Sequence, residues 1–266
     1  MSDSTTAFSG SIPGLYDQHL GPVLFEPYAA DLASRLPSRD GLRLLEIACG
    51  TGIVTRRLRE ALPDSATVVA TDLNEGMIDY ARQAVTTPGI AWQQADAQSL
   101  PFADASFDVV VCQFGFMFLP DKVQGFREAR RVLAVGGLLL ANVWHSLVDN
   151  PCAQTVYEVL ARRFPADPPT FLETPYGYRI TSLQEDMEKA GWEDVELTDL
   201  AFQSVSPSAR SFATGFALGT PLTHDLVRRG ADPELIAEEL AQALIPVGGE
   251  EPFVAEISAS VITAAR

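Results

Sequence analysis

Apolar residues follow two alternating periodicities along the middle of the chain. Short runs that are apolar at nearly every position, such as residues 42–48 and 107–114, predict strands that are covered on both faces. Between such runs, residues 53–62 and 74–85 carry apolar side chains at helical spacing. Strands that alternate with helices in this way predict βαβ units and a doubly wound, mostly parallel sheet.

The pattern loosens on either side of this region. Gly136 and Gly137 predict a turn that leads into a fifth strand at residues 138–144, and everything that follows is more varied. Helical stretches there are separated by alternating, strand-like segments at residues 193–205 and 253–264. The predicted units are an N-terminal flap (1–40) and one domain (41–266) with helical insertions at about 146–190 and 206–250.

A glycine turn lies where the first predicted strand meets the first predicted helix, with Gly50 and Gly52 on either side of Thr51. Glycines let a backbone approach a ligand closely, and the N–H groups of a helix start are free to bind it. Asp72 ends the second strand, where a carboxylate can bind both ribose hydroxyls of a nucleoside, and Asp96 follows the third. Since parallel strands end at one sheet edge, these features together predict a nucleoside site. A tight structural turn and solvated carboxylates are the alternative interpretations.

The same turn lacks the residues that bind phosphates. The dinucleotide pattern G-x-G-x-x-G requires a third glycine, and Thr55 occupies that position. No lysine occurs between Leu42 and Leu62, which argues against a P-loop. Glu46, near the end of the first strand, would be unfavourable beside a pyrophosphate and favourable beside a cation. The sequence therefore predicts a nucleoside ligand without phosphates.

The stretch from Gly41 to Trp144 resembles the class I S-adenosylmethionine-dependent methyltransferases, particularly the small-molecule branch similar to the ubiquinone/menaquinone C-methyltransferases. The resemblance is carried by Leu44-Leu45-Glu46-Ile47-Ala48-Cys49-Gly50-Thr51-Gly52, Asp72, Asp96-Ala97, residues 107–114 and 116–121, and Arg130-Arg131-Val132-Leu133 ahead of Gly136-Gly137. Ala48 departs from the family pattern D/E-x-G-x-G-x-G at its first glycine, which affects only the tightness of the turn. The predicted fold is α/β: a doubly wound, mostly parallel, seven-stranded Rossmann-like sheet with an antiparallel C-terminal strand, helical insertions and an N-terminal flap.

The resemblance implies an enzyme, a methyltransferase whose cofactor is S-adenosyl-L-methionine. It implies that Glu46 helps to hold the methionine ammonium, that Asp72 binds the ribose and that Asp96 takes the adenine amine. Gln113, at the end of the fourth strand, is expected near the methionine moiety and the sulfonium. The complete expected cofactor set is Tyr16, Glu46, Ala48, Gly50, Thr51, Gly52, Asp72, Leu73, Met77, Asp96, Ala97, Gln98 and Gln113.

The methyl acceptor is predicted to be a small, apolar or aromatic metabolite that reacts at oxygen, nitrogen or carbon. Aromatic residues near the ends of the fourth and fifth strands indicate an apolar pocket, although part of this stripe must be core. The candidate pocket residues are Tyr28, Phe114, Phe118, Trp144 and His145. No catalytic residue identifies itself, because a base is needed only where the acceptor must lose a proton. His145 is the hypothesis for that region, and a packed N-terminal arm is the alternative role for the flap tyrosines.

Composition and charge restrict the classes of molecule that this protein is expected to bind. With 19 basic and 35 acidic residues among 266, the net charge is −16, which disfavours nucleic acid and polybasic membrane anchoring. The longest apolar stretch, residues 132–144, is too short to span a bilayer, and no secretory signal begins the sequence. Cys49, Cys112 and Cys152 are far apart and predict buried thiols, and no metal-binding motif occurs. We expect a cytoplasmic protein that acts on a small molecule and binds no membrane, with a homodimer as the candidate assembly.

Two other functions remain as alternatives. An NAD(P)-dependent oxidoreductase is disfavoured by Thr55 and by the absence of a Tyr-x-x-x-Lys pair after the fourth strand. A non-catalytic protein that binds an adenosyl ligand, or that partners an active homologue, stays open because no acid or base stands out.

Overall fold

A computed structural model describes residues 10–266 of the chain, and these form a single seven-stranded sheet with the strand order β3-β2-β1-β4-β5-β7-β6. The strands are β1 Arg43–Ile47, β2 Thr67–Asp72, β3 Ile90–Gln94, β4 Phe107–Gln113, β5 Leu133–Trp144, β6 Val195–Ser206 and β7 Phe253–Ala265. The first five strands pair in parallel, whereas β7 is antiparallel to both β5 and β6. The predicted fold class, with its antiparallel C-terminal strand, is confirmed.

Helices cover both faces of the sheet. They are α1 Ile12–Leu15, α2 Glu26–Ser34, α3 Ile53–Ala61, α4 Glu75–Ala84, α5 Lys122–Val132, α6 Pro151–Arg163, α7 Glu173–Tyr176, α8 Ile180–Lys189, α9 Ala209–Leu218, α10 Leu222–Arg228 and α11 Pro233–Gly248. In β4, Val109 and Val111 join the apolar cluster of α2 and α3, while Val110 and Cys112 join the cluster of α5 and α8. This two-sided burial explains why the sequence of β4 is apolar without alternation.

The segment before β1 is more regular than its sequence indicated. A π-helix, Tyr16–Phe25, connects α1 to α2, so the chain is helical from residue 12 to residue 34. Pro22 lies inside the π-helix and has no N–H, which removes one regular helical hydrogen bond and suits a widened turn. Residues 1–9, which include part of the predicted flap and the start of the sequence, where no secretory signal was expected, lie outside the described residues. The division into flap and domain stays a prediction.

The turn predicted at the Gly136-Gly137 pair is wrong, because both residues lie inside β5. Phe107 pairs with Leu133, whereas Val109 pairs with Leu138, so β5 carries extra residues opposite a short piece of β4. Gly136 has a φ of +75°, which glycine adopts without strain. The two glycines therefore form a bulge in a longer strand rather than a boundary between two elements.

Three further observations concern membranes, cysteines and metals. None of the helices in residues 10–266 has the length and apolar character that crossing a membrane requires. Cys49, Cys112 and Cys152 are buried and unpaired. Over the same residues, no group of three or more His, Cys, Asp or Glu side chains could hold a metal ion.

Candidate functional site

The turn from β1 to α3 is built from residues in left-handed backbone conformations. The φ angles are +57° at Ala48, +54° at Gly50 and +85° at Gly52. A Cβ atom at Gly52 would lie 2.8 Å from the Val85 side chain, so both conformation and packing require glycine there. A Cβ atom at Gly50 would meet nothing within 4 Å, so open space borders the turn at this point. Ala48 keeps the glycine-like conformation at the position where the family pattern has glycine.

Asp72 is joined directly to this turn. Its Oδ2 atom accepts a hydrogen bond from the Gly50 N–H at 2.9 Å, and its Oδ1 atom accepts one from the Asn74 N–H at 2.8 Å. Burial raises the pKa of Asp72, and these backbone hydrogen bonds oppose the rise. The two features that the sequence placed at one sheet edge are therefore in contact.

Glu46 is a buried carboxyl group beside Asp72 and is only 1 % exposed. Its Oε2 atom has no hydrogen-bond partner within residues 10–266. Burial raises the pKa of Glu46 to about 8; a hydrogen bond with the Thr55 side chain opposes the rise, and the Asp72 charge adds a smaller increase. A cationic group next to Glu46 would favour the ionised carboxylate and satisfy it.

The loop after β3 places Asp96, Ala97 and Gln98 next to the end of β2. The Ala95 N–H donates to the Asp72 carbonyl at 3.0 Å, and the Gln98 N–H donates to Asp96 Oδ1 at 2.8 Å. Ala97 is buried. This loop therefore forms a wall beside the end of β2.

The start of α4 supplies the two apolar residues expected at the adenine. Leu73 is largely exposed, while Met77 is buried and donates its N–H to the Asn74 side chain at 3.2 Å. Leu73 thus presents an apolar surface just past Asp72, and Met77 belongs to the core beneath it.

The N-terminal π-helix covers the carboxyl end of β4. Gln113 Nε2 donates to the Phe25 carbonyl at 3.1 Å, while Gln113 Oε1 has no partner within the described part of the chain. Tyr16 stacks on Phe25 with ring centroids 4.8 Å apart. Burial first, and then the charge of Asp72, raise the pKa of Tyr16, which places this tyrosine beside the same sheet edge.

The buried polar atoms of this region fit a polar ligand. Those that lack a partner in residues 10–266 include Glu46 Oε2, Thr51 Oγ1, Gln113 Oε1 and Asn142 Nδ2. Buried polar groups in folded proteins are nearly always hydrogen-bonded, so a cluster of exceptions indicates a binding site.

Aromatic side chains lie side by side at the ends of β4 and β5. Phe114, with a φ of +55°, stacks on Trp144 with centroids 3.8 Å apart and planes 6° apart. The Tyr28 ring meets Phe114 and Trp144 edge-on at 5.2 and 5.4 Å. Phe118 is 47 % exposed. The structure thus brings together Tyr28, Phe114 and Trp144 from the candidate acceptor set.

His145 has its contacts elsewhere. Its Nδ1 atom lies 2.7 Å from Ser258 Oγ, and its Nε2 atom lies 2.8 Å from Ser260 Oγ and 3.1 Å from Asp199 Oδ1. Both ring nitrogens therefore face polar groups of β6 and β7, whereas Trp144 packs on aromatic rings. This geometry gives the acceptor-pocket hypothesis for His145 no support.

Sequence reasoning missed three residues at this site. Tyr176 of α7 stacks on Trp144 at 5.9 Å, and Phe25 contacts Gln113, yet neither stands in a recognisable motif. Asn142 is fully buried in β5, where a single amide interrupts an apolar run. That interruption was the available signal, because a polar residue inside a buried strand is uncommon.

Residues 45–141 match a family model described as a methyltransferase domain. This range contains most of β1 and all of the glycine turn, β2, β3 and β4. A ubiquinone/menaquinone biosynthesis C-methyltransferase of Hahella chejuensis is 38% identical over 125 residues, which are 46% of this chain and 50% of that protein. The chain thus spans about half the length of the curated relatives it matches.

Solved structures share the fold at low sequence identity. The YcgJ protein of Bacillus subtilis has a TM-score of 0.59 and 18% identity over 90% of this chain and 98% of its own. Phosphoethanolamine N-methyltransferase 2 of Haemonchus contortus, in complex with S-adenosylhomocysteine, has a TM-score of 0.62 and 16% identity over 98% of this chain and 59% of its own. These comparisons show that residues 45–141 are similar to a methyltransferase domain and that the described residues share the fold of these solved structures.

Proposed function

We propose that this chain binds S-adenosylmethionine and transfers its methyl group to a small, apolar or aromatic acceptor. The observation that carries the proposal is the buried polar cluster at the ends of β1 and β2. Glu46 keeps one oxygen without a partner among the described residues, and Asp72 accepts a hydrogen bond from the Gly50 N–H on the open side of the glycine turn. A ligand with a cation, a ribose and no phosphates suits this cluster.

Each end of the cofactor has a chemically suitable partner. Glu46 binds the ammonium, because a buried carboxyl with a pKa of about 8 is stabilised in its ionised form by an adjacent cation. Asp72 binds the ribose hydroxyls, since an ionised carboxylate has about four acceptor positions and the backbone N–H groups around it use only part of them. Leu73 and Met77 flank the adenine, and Asp96 with Ala97 receives its amine. Tyr16 covers this side of the site from the π-helix.

The protein's own contribution to the reaction is positioning. The bound cofactor supplies an electrophilic methyl group on a sulfonium. Orientation of two reactants can contribute as much as about 7–11 kcal/mol in the most favourable models. The π-helix excludes water from the end of β4, and Tyr28, Phe114 and Trp144 hold the acceptor by apolar contact.

The choice of partner follows from charge. A net charge of −16 repels a phosphate backbone, which favours a small-molecule acceptor over nucleic acid. Cytoplasmic location and a homodimer stay predictions.

The test has two steps. Calorimetric titrations with S-adenosylmethionine, S-adenosylhomocysteine and NADH should give binding of both adenosyl ligands and none of NADH. Transfer of a labelled methyl group is then screened on phenols, quinones and heterocycles, and we expect incorporation into at least one class. Binding without transfer would instead support the non-catalytic adenosyl-binding protein, and binding of NADH alone would support the oxidoreductase.

A further inference from the structure

Two neighbouring amide side chains have unused hydrogen-bonding atoms at the ends of β4 and β5. Gln113 is the last residue of β4 and pairs in register with Asn142 of β5. Gln113 is 8 % exposed and Asn142 is fully buried. Because paired residues of adjacent strands share a face and adjacent strands lie about 4.8 Å apart, the two amides lie side by side.

Backbone hydrogen bonds fix which atom of each amide remains unused. Gln113 Nε2 donates to the Phe25 carbonyl at 3.1 Å, and Asn142 Oδ1 accepts from the Phe114 N–H at 3.1 Å. Gln113 Oε1 and Asn142 Nδ2 are left without a partner within residues 10–266. The two residues therefore leave one acceptor and one donor unused at paired positions of neighbouring strands.

Neither charged end of the methionine moiety satisfies this pair. A carboxylate would accept from Asn142 Nδ2 but be repelled by Gln113 Oε1, and an ammonium would have the opposite problem. A neutral hydroxyl donates and accepts at the same time. The strand order β1-β4-β5 also places Asn142 on the side of Gln113 that faces away from Glu46.

The surroundings of the pair are aromatic. Phe114 follows Gln113 directly and is held in a left-handed conformation that a non-glycine residue rarely adopts. Such strained residues cluster at functional sites. The Phe114 ring stacks on Trp144, and Tyr28 meets both rings edge-on. An apolar body attached to the hydroxyl would lie against these rings.

We propose that Gln113 and Asn142 together bind a hydroxyl group of the methyl acceptor. The acceptor class is thus an apolar molecule that carries a hydroxyl, with its apolar part against Tyr28, Phe114 and Trp144. This inference rests on the proposed function, because it takes the neighbouring Glu46 side of the site for the cofactor.

The test compares two probes that differ by one hydroxyl. With S-adenosylhomocysteine bound, the Kd values of 2-naphthol and 2-fluoronaphthalene are measured for the wild type, Gln113→Met and Asn142→Val. We expect the wild type to bind 2-naphthol about tenfold more tightly, and each variant to lose most of that preference. In Asn142→Val the Phe114 N–H keeps its hydrogen bond to the backbone carbonyl of residue 142, at 3.2 Å. The fold should therefore survive, and melting temperature checks this.

Gln242→Met is the matched control, since Gln242 is exposed on α11 and donates to Glu238 of the same helix at 3.3 Å, away from the amide pair and from the cofactor residues. It should retain the hydroxyl preference. Equal affinities of both probes for the wild type, or no binding of either, would overturn the inference and leave the proposed function standing. Equal affinities would mean that the two amides bind a water molecule and not the hydroxyl of the acceptor. A wild type that fails to bind S-adenosylhomocysteine would instead overturn the proposed function, and this inference with it.

Discussion

At the scale of single residues, the buried Glu46 carboxyl makes the free energy of unfolding depend on pH. In the folded protein its pKa is about 8, against an ordinary value of 4.5. Between these values the folded state retains a proton that the unfolded chain has released. The free energy of unfolding of the ligand-free protein should therefore fall as pH rises from about 4.5 to 8.

Urea unfolding at a series of pH values measures this slope. Glu46→Gln cannot release the proton, so its unfolding free energy should fall less steeply over the same range. A variant slope as steep as that of the wild type would assign the pH dependence to other groups.

Asp72 provides a second prediction at this scale. In Asp72→Asn the ribose loses a charged acceptor, and hydrogen bonds to charged groups contribute about 1.5–3 kcal/mol. We expect calorimetry to show S-adenosylhomocysteine binding weakened roughly 10- to 100-fold. Asp232→Asn is the control, because Asp232 only caps α11 by accepting the Glu234 N–H at 2.9 Å. Unchanged affinity in Asp72→Asn would falsify the ribose assignment.

At the scale of elements, the sequence predicted the sheet better than the segments around it. The strands β1 and β4 are mostly apolar and do not alternate with polar residues, and such a pattern favours strands that are buried on both faces. The π-helix Tyr16–Phe25 was not predicted, because glycine and Pro22 disfavour a helix and its packing against α2, α9 and β6 is not visible in the sequence. The Gly136-Gly137 bulge was mistaken for a turn, since both use glycine in the same way.

Some residues of the site could likewise be predicted from the strand order, whereas others are identified only by their contacts in the structure. The proximity of Asp72 to the Gly50 turn was predictable, because parallel strands end at one sheet edge. Asn142 was not identified, because its unused Nδ2 atom becomes visible only when the surrounding partners are known. His145 was selected from its position after β5, but the sequence could not show that its ring nitrogens meet Ser258 and Ser260.

The glycine turn yields a prediction about stability. Gly50→Ala should cost about 1–2 kcal/mol of unfolding free energy, the penalty of a left-handed residue. Gly52→Ala has the same penalty and also places a Cβ atom 2.8 Å from Val85, so we expect an additional loss of about 1–3 kcal/mol. Urea unfolding measures the loss of unfolding free energy in each variant. Equal losses would show that the Val85 side chain moves away from the new Cβ atom without a cost.

At the scale of the whole molecule, the N-terminal helical segment connects distant parts of the chain over the site. Tyr80 of α4 donates its hydroxyl to Asp17 at 3.2 Å, and Phe25 accepts from Gln113 of β4. A ligand beneath this segment should hold it in place. We expect S-adenosylhomocysteine to slow hydrogen exchange of the amides in residues 16–25, measured by mass spectrometry, with α11 as an internal control. Equal slowing in α11 would indicate global stabilisation instead.

Tyr28 limits how that segment can move. Its hydroxyl lies within hydrogen-bond distance of the carbonyls of Leu200 in β6 and Ile257 in β7, at 3.0 and 3.3 Å. This anchors α2 to the far edge of the sheet. A molecule that enters beneath the π-helix therefore has to displace the helical turns before Phe25 and break their contacts with Tyr80 and Ser211, because α2 is fixed to the sheet at Tyr28.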